Sequence, residues 1–151
     1  MKFSPIILFV YNRPWHTRKT IEALQKNLLA DQSDLVIYSD APKRNSDEQK
    51  VTEVRNLIKT VKGFKNLIIN ERKENYGLAR SIITGVTETI DKYGRVIVLE
   101  DDIITSKYFL KYMNEALEIH KSEDRVMHIS GYMYPIDPLG LPETFFLKPT
   151  T

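Results

Sequence analysis

Apolar residues gather in five short unbroken runs, and between the runs they recur every three or four positions. The runs Ile6 to Tyr11, Leu35 to Tyr38, Asn66 to Asn70 (built on Leu67-Ile68-Ile69), Val96 to Leu99 and Val126 to Ser130 read as strands. The run at 96–99 is continuous rather than alternating, as in a strand buried on both faces of a sheet. The intervening stretches read as helices. One runs from Trp15 to about Leu29, with Ile21, Ala23, Leu24 and Leu28 on its apolar face. A second carries Val51, Val54, Leu57, Ile58 and Val61; Ser46 with Gln49 resembles a capping box before it, and Gly63 stops it. A third runs from about Leu78 to Tyr93, with Leu78, Ile82, Ile83, Val86 and Ile90 inward and Gly94 at its end. A fourth runs from about Lys107 to His120 and buries Phe109, Leu110, Tyr112, Met113 and Leu117. Strict alternation of strand and helix predicts an α/β fold. Its central sheet is mainly parallel, helices cover both faces as a three-layer sandwich, and the crossovers are right-handed.

Length and charge narrow the picture. A chain of 151 residues is read as one domain, 1–151, with enough length for a real core. A net charge of +2 is too mild to argue for nucleic acid. The absence of cysteine excludes disulfides, thiolate metal sites and cysteine nucleophiles. His16, His120 and His128 are scattered without metal-ligand spacing. No apolar stretch reaches membrane-spanning length, and the first apolar run has no small-residue cleavage site after it. The expectation is therefore a cytoplasmic protein, with room for peripheral association with a membrane. Phe145-Phe146-Leu147 resembles a strand only a few residues before Thr151, so a chain truncated before a further half is expected.

The fourth run changes the picture most. Val96-Ile97-Val98-Leu99 leads straight into Glu100-Asp101-Asp102. Adjacent carboxylates repel one another, and a divalent cation is the commonest reason to place them at a strand end. Oxygen ligands of this kind suit Mn²⁺ or Mg²⁺. Extended-chain alternation puts Glu100 and Asp102 on one side and Asp101 on the other, which makes Asp102 the best candidate for a direct metal ligand. The loops after the first three strands add Tyr11-Asn12-Arg13, Ser39-Asp40 and Asn75-Tyr76-Gly77, with Arg80 one turn into its helix. In an open parallel sheet these loops share one edge, where ligands bind. Carboxylates, arginines and an acceptor for a base or ribose together suit a nucleoside diphosphate with its cation.

These residues, taken in order, resemble a known family. Pro5 to Pro14, Asp40, Asn75-Tyr76-Gly77-Leu78-Ala79-Arg80 and Val98-Leu99-Glu100-Asp101-Asp102 look like the nucleotide-sugar-binding half of a GT-A glycosyltransferase, a Rossmann-like fold. The similarity is strongest to the N-acetylglucosaminyltransferase I-like branch, with bacterial family 2-type sugar transferases as neighbours, and it spans most of residues 5 to 131. The resemblance implies transfer of a sugar from a nucleotide-sugar, UDP-linked, to a saccharide or glycan acceptor. It implies that Asp40 holds the uracil edge and that Arg13 lies against the diphosphate or uridine. Tyr11, Asn12, Asn75 and Arg80 would stand near the nucleotide. Glu100 and Asp101 would reach ribose and donor-sugar hydroxyls, and Asp102 would bind the metal. The family's general base and most of its acceptor site lie in a C-terminal half beyond Thr151. Asp137 and Glu143 are the late acids, and neither is assigned.

Other classes fit less well. A nucleotidyltransferase, the main alternative, normally carries a glycine-rich phosphate loop after the first strand, where this chain has Asn12-Arg13-Pro14. A non-catalytic nucleotide-binding module is the other alternative. A receiver domain needs acids after strand one and a phosphoacceptor Asp after strand three. Asn12-Arg13 and Asn70-Glu71 stand there instead. A dinucleotide-binding dehydrogenase lacks its glycine fingerprint.

Overall fold

The computed structural model describes residues 3–132. Its elements alternate as β1 Ile6–Val10, α1 Pro14–Gln25, β2 Asp34–Ser39, α2 Glu48–Lys59, β3 Asn66–Glu71, α3 Gly77–Tyr93, β4 Ile97–Glu100 and α4 Phe109–Ile119. Short 3-10 turns at Ala30–Gln32 and Asn45–Asp47 precede β2 and α2. The strands form one parallel sheet in the order β3-β2-β1-β4. β1 pairs with β2 from Ile6↔Leu35 to Val10↔Ser39, and with β4 from Ile6↔Ile97 to Phe9↔Glu100. This is the expected Rossmann-like α/β architecture. The chain builds outward from β1 to β3 and then returns to β1's other side. The order therefore reverses between β1 and β4, at the crevice where open α/β sheets bind ligands.

The two faces of the sheet are covered differently. On one face Ile6, Leu8, Leu35, Ile37, Ile97 and Leu99 bury themselves against α1, α2 and α4 through Ile21, Leu24, Val54, Ile58, Leu110 and Met113. On the other, Ile7, Phe9, Val36 and Tyr38 pack against α3 through Ile82 and Val86, with Val96 beside them. The inward side of α3 is not the aliphatic stripe expected of it. Leu78, Ile83 and Ile90 are exposed, and the buried positions are Ser81, Gly85 and Thr89, flanked by Ile82 and Val86. Small residues let the helix lie close to the stacked Phe9 and Tyr38 rings. A Cβ on Gly85 would meet Phe9 at 3.0 Å and Tyr38 at 3.1 Å.

Other expectations also shift. Tyr112 is half exposed rather than buried. The first helix stops at Gln25, short of Leu29. Lys26 and Asn27 turn back onto Ala23 and Leu24, and the Leu28 amide bonds the Lys107 carbonyl 2.9 Å away. Helix α2 starts without a side-chain cap, so Ser46 is not its capping residue. Val126 to Ser130 do not form a fifth strand. That segment runs beside α4 instead. The Tyr112 hydroxyl donates to the Ser130 carbonyl at 3.3 Å, and Gly131 lies against Phe109 and Met113. Among the described residues β4 is thus an edge strand. Phe145 to Leu147, Asp137 and Glu143 lie outside the described residues. No described helix is long and apolar enough to cross a membrane.

Candidate functional site

The carboxyl ends of all four strands open on one rim, and two separate groups of side chains form there. The first straddles the crevice between β1 and β4. β4 ends at Glu100 and the chain turns at once, the Ile103 amide reaching back to the Glu100 carbonyl at 3.4 Å. The turn replaces the expected alternation, so Asp101 and Asp102 both face Arg13. The Arg13 Nη2 donates to Asp101 Oδ1, and its Nη1 donates to Asp102 Oδ2 at 3.0 Å. These contacts raise the Arg13 guanidinium further above its ordinary value, the Asp101 hydrogen bond contributing most. The two acids differ in access: the Asp101 side chain is 5% exposed and that of Asp102 is 45%. Glu100, half buried at the strand end, points to the α3 side of the sheet.

Helix α1 holds this group in place. Pro14 stands in its first turn, and no side chain caps it. Uncapped amides and the helix dipole favour an anion at that end. Two fully buried threonines on α1 index the partners. The Thr17 hydroxyl donates to the Arg13 carbonyl at 2.9 Å, and the Thr20 hydroxyl donates to the Asp101 carbonyl at 2.9 Å. Threonine tolerates a helix interior when its hydroxyl finds such a carbonyl.

The second group centres on Asp40, after β2. Its carboxylate accepts four hydrogen bonds: Oδ1 from the Ala41 and Tyr76 amides, both at 2.9 Å, and Oδ2 from the Gly77 amide at 2.9 Å and the Asn75 side chain at 3.1 Å. Asn75 also donates to the Ala41 carbonyl at 2.7 Å. Gly77 has φ +71°, a left-handed conformation that glycine adopts freely as the chain enters α3. Asp40 therefore ties the loop after β2 to the start of α3. All four lone-pair positions of its carboxylate are taken, which leaves none for a base edge.

Between the groups, Tyr11 and Asn12 turn toward Asp47. The Tyr11 hydroxyl donates to Asp47 Oδ2 at 3.0 Å and accepts from the Lys43 amide at 2.9 Å; Asn12 donates to Asp47 Oδ1 at 2.9 Å. Burial raises the Tyr11 phenol above its ordinary value, and the Tyr11 and Asn12 hydrogen bonds hold Asp47 below its own. Arg80 is exposed, its guanidinium carbon 3.8 Å from the centre of the Tyr76 ring.

The structure thus joins Arg13 to Asp101 and Asp102, and Asp40 to Asn75. It keeps Asp40 apart from Asp102, because β1 stands between their strands and puts them about 10 Å apart. Several rim residues escaped the sequence reading. Asp47 anchors Tyr11 and Asn12. Arg72 sits 4.9 Å from the Tyr38 ring and 4.6 Å from the Tyr76 ring. Arg55 donates to the Arg72 carbonyl at 2.8 Å and pairs with Glu71 at 3.6 Å. Each acts across a long sequence separation, and a cationic side chain in a helix or loop gives no local sign of which carbonyl it will meet.

Among the described residues no three acids, histidines or cysteines gather to cage a metal. Asp102 nonetheless suits a cation. Its carboxylate is nearly half exposed, and Oδ1 makes no hydrogen bond among the described residues. One or two carboxylates completed by phosphate oxygens and waters is the usual Mg²⁺ arrangement.

No protein-family model matches the chain, and no curated protein matches it in sequence. Solved structures do. A crystal structure of S. aureus TarS 1-349 superposes with a TM-score of 0.50 at 20% identity, over 80% of this chain and 33% of that one. A second crystal structure of S. aureus TarS gives a TM-score of 0.51 at 19% identity, over 80% of this chain and 20% of that one. The chain thus spans a third or less of the structures it matches, and at such identities the likeness is one of fold. The chain therefore shares the α/β fold of part of the TarS structures.

Proposed function

We propose that this chain is the donor-binding part of a metal-dependent glycosyltransferase, of the GT-A, N-acetylglucosaminyltransferase I-like or family 2-type kind. It takes a sugar from a UDP-linked donor and passes it to a saccharide acceptor. The observation that carries the reading is Arg13 held on Asp101 and Asp102 at the reversal of strand order between β1 and β4. A guanidinium, an uncapped helix N-terminus and an accessible carboxylate converge there, which is what a diphosphate with a cation requires.

Asp102 would hold Mn²⁺ or Mg²⁺, with phosphate oxygens and water completing the shell. The cation, when bound, neutralises charge on the departing nucleoside diphosphate as a Lewis acid. Arg13 offers a second positive charge to the same diphosphate. Buried Asp101 keeps Arg13 oriented, and Thr20 fixes the turn that carries both acids. Glu100 stands beside the crevice, where hydroxyls of ribose or donor sugar would be in reach. Tyr11 and Asn12, braced by Asp47, form the wall on the β1 side. Asp40 serves through the loop it ties: it holds Asn75 and Tyr76, with Arg80 against the Tyr76 ring, as a platform next to the nucleotide. The base that deprotonates the acceptor is not among these residues.

The test is thermal unfolding with UDP and Mn²⁺ together. Ligand at 100 times its dissociation constant stabilises by about 2.7 kcal/mol, which corresponds to a rise on the order of 5–10 °C for a chain of this size. No rise with any nucleoside diphosphate in either cation would overturn the reading.

A further inference from the structure

A cleft of about 320 Å³ lies between the outer face of α1 and the loop that leaves the acid cluster. Lys19 and Ala23 line it from α1, Lys26 from the residue that ends that helix, and Ile104, Thr105 and Lys107 from the β4–α4 loop. Positions 19, 23 and 26 share one helical face because they are spaced by four and three residues. The one acid in the lining, Glu22, is engaged by Lys19 at 3.5 Å. Neither Lys26 nor Lys107 forms an ion pair among the described residues. The Thr105 hydroxyl accepts from Asn27 at 3.0 Å, so its own proton is available to donate. Ile104 is 64% exposed, and so is Trp15, one turn nearer the rim on α1. The walls are therefore cationic and the adjoining surface is apolar.

Position gives the cleft its meaning. Ile104 is two residues beyond Asp102, so its backbone lies within about 7 Å of it. Lys19 is six residues beyond Arg13, about 9 Å along the helix, and Lys26 is thirteen, about 20 Å, so the cleft runs from beside the rim to the far end of α1. The cleft is thus a neighbour of the Arg13–Asp102 group and not part of it. A saccharide that runs from Lys26 past Ile104 could present a hydroxyl to the rim.

We propose that the cleft is an acceptor subsite for a saccharide that carries a phosphate or carboxylate group. The anion lies against Lys26, Lys107 and the Thr105 hydroxyl, and the apolar face of a sugar ring lies against Ile104. The role as acceptor subsite rests on the donor-binding reading, whereas the binding itself does not. A lipid headgroup offers the same anionic chemistry. A concave cleft with lysines inside favours a single small ligand over a bilayer surface.

The probe is glucose 6-phosphate added to the ¹⁵N-labelled chain without nucleotide or metal. Glucose and vesicles of phosphatidylglycerol in phosphatidylcholine are run in parallel. Glucose 6-phosphate is expected to shift the amides of Ala23, Ile104 and Thr105, and glucose is expected to leave them in place. The double variant Lys26→Glu, Lys107→Glu should weaken that binding tenfold or more. Both side chains are exposed, so its melting temperature and its UDP–Mn²⁺ affinity should stay unchanged. Shifts confined to Asn12 and Arg13, equal binding of glucose, or indifference to the double charge reversal would overturn the proposal. So would vesicle binding that the variant abolishes while sugar-phosphate binding persists. If UDP with Mn²⁺ fails to bind while glucose 6-phosphate still occupies the cleft, the donor reading falls and the anion site stands.

Discussion

Asp40 and Asp102 are two aspartates at the ends of parallel strands on one rim, and the fold uses them in opposite ways. Asp40 is 7% exposed and gives all its acceptor capacity to backbone amides and Asn75. Among the described residues Asp102 leaves one oxygen without a hydrogen bond, and it keeps nearly half its surface in solvent. The first is spent on architecture and the second remains available to a ligand. Residue type and strand-end position do not separate them. Hydrogen-bond saturation does.

The contrast can be broken most forcefully at Asp40. Asp40→Ala strands three backbone amides and the Asn75 side chain and frees the loop before α3, and it should destabilise the chain by about 3–5 kcal/mol in denaturant titration. A loss under about 1 kcal/mol would show that the node is not architectural. Asp102→Ala should do the reverse, leaving stability within about 1 kcal/mol because an exposed ion pair contributes little. It should lower Mn²⁺-dependent UDP affinity on the order of 100-fold in calorimetry, about 2.7 kcal/mol; unchanged affinity would refute the ligand assignment.

Arg13→Gln sharpens the comparison from the partner's side. UDP–Mn²⁺ affinity should fall about tenfold, while Mn²⁺ alone binds more tightly because no guanidinium competes for Asp102. Paramagnetic relaxation by Mn²⁺ reads the second effect, and weaker binding of the bare cation would sink it. The smallest effect is at Asp47. Its folded pKa is depressed by the Tyr11 and Asn12 hydrogen bonds. The stability it contributes is therefore complete above the ordinary aspartate value of about 3.9 and is lost as pH falls through the lower folded value. Asp47→Asn should lower the melting temperature slightly at neutral pH and leave it unchanged well below about pH 4, so that the acid limb flattens.

Much of this was legible in the residues themselves. Four apolar runs marked the four strands, but only β1 and β2 are buried on both faces; β3 and β4, equally apolar in sequence, leave Ile68 and Val98 exposed. Arg13, Asp101 and Asp102 stood out because charge at the end of such a run is costly without a partner. What escaped depended on distant pairings. The inward side of α3 was misread because Ser81, Gly85 and Thr89 matter for their small size against Phe9 and Tyr38, while Leu78 and Ile83 face solvent. The fifth strand was misread because β-forming residues at 126–130 say nothing of whether an edge or a helix will receive them. Asp40 drew notice as a contact for a ligand, yet its partners are amides about 36 residues away.

The strand order also has a consequence for synthesis. β1 and β2 can pair once Ser39 is made, but β4, which closes β1's other side, arrives about 60 residues later. At roughly 5–20 residues per second, the nascent chain spends on the order of 3–12 s with one side of Ile6–Val10 uncovered. That strand carries no charge to discourage a stray partner. The interval gives a chaperone that binds apolar strands a target, and it makes the acid-bearing turn the last part of the rim to be assembled.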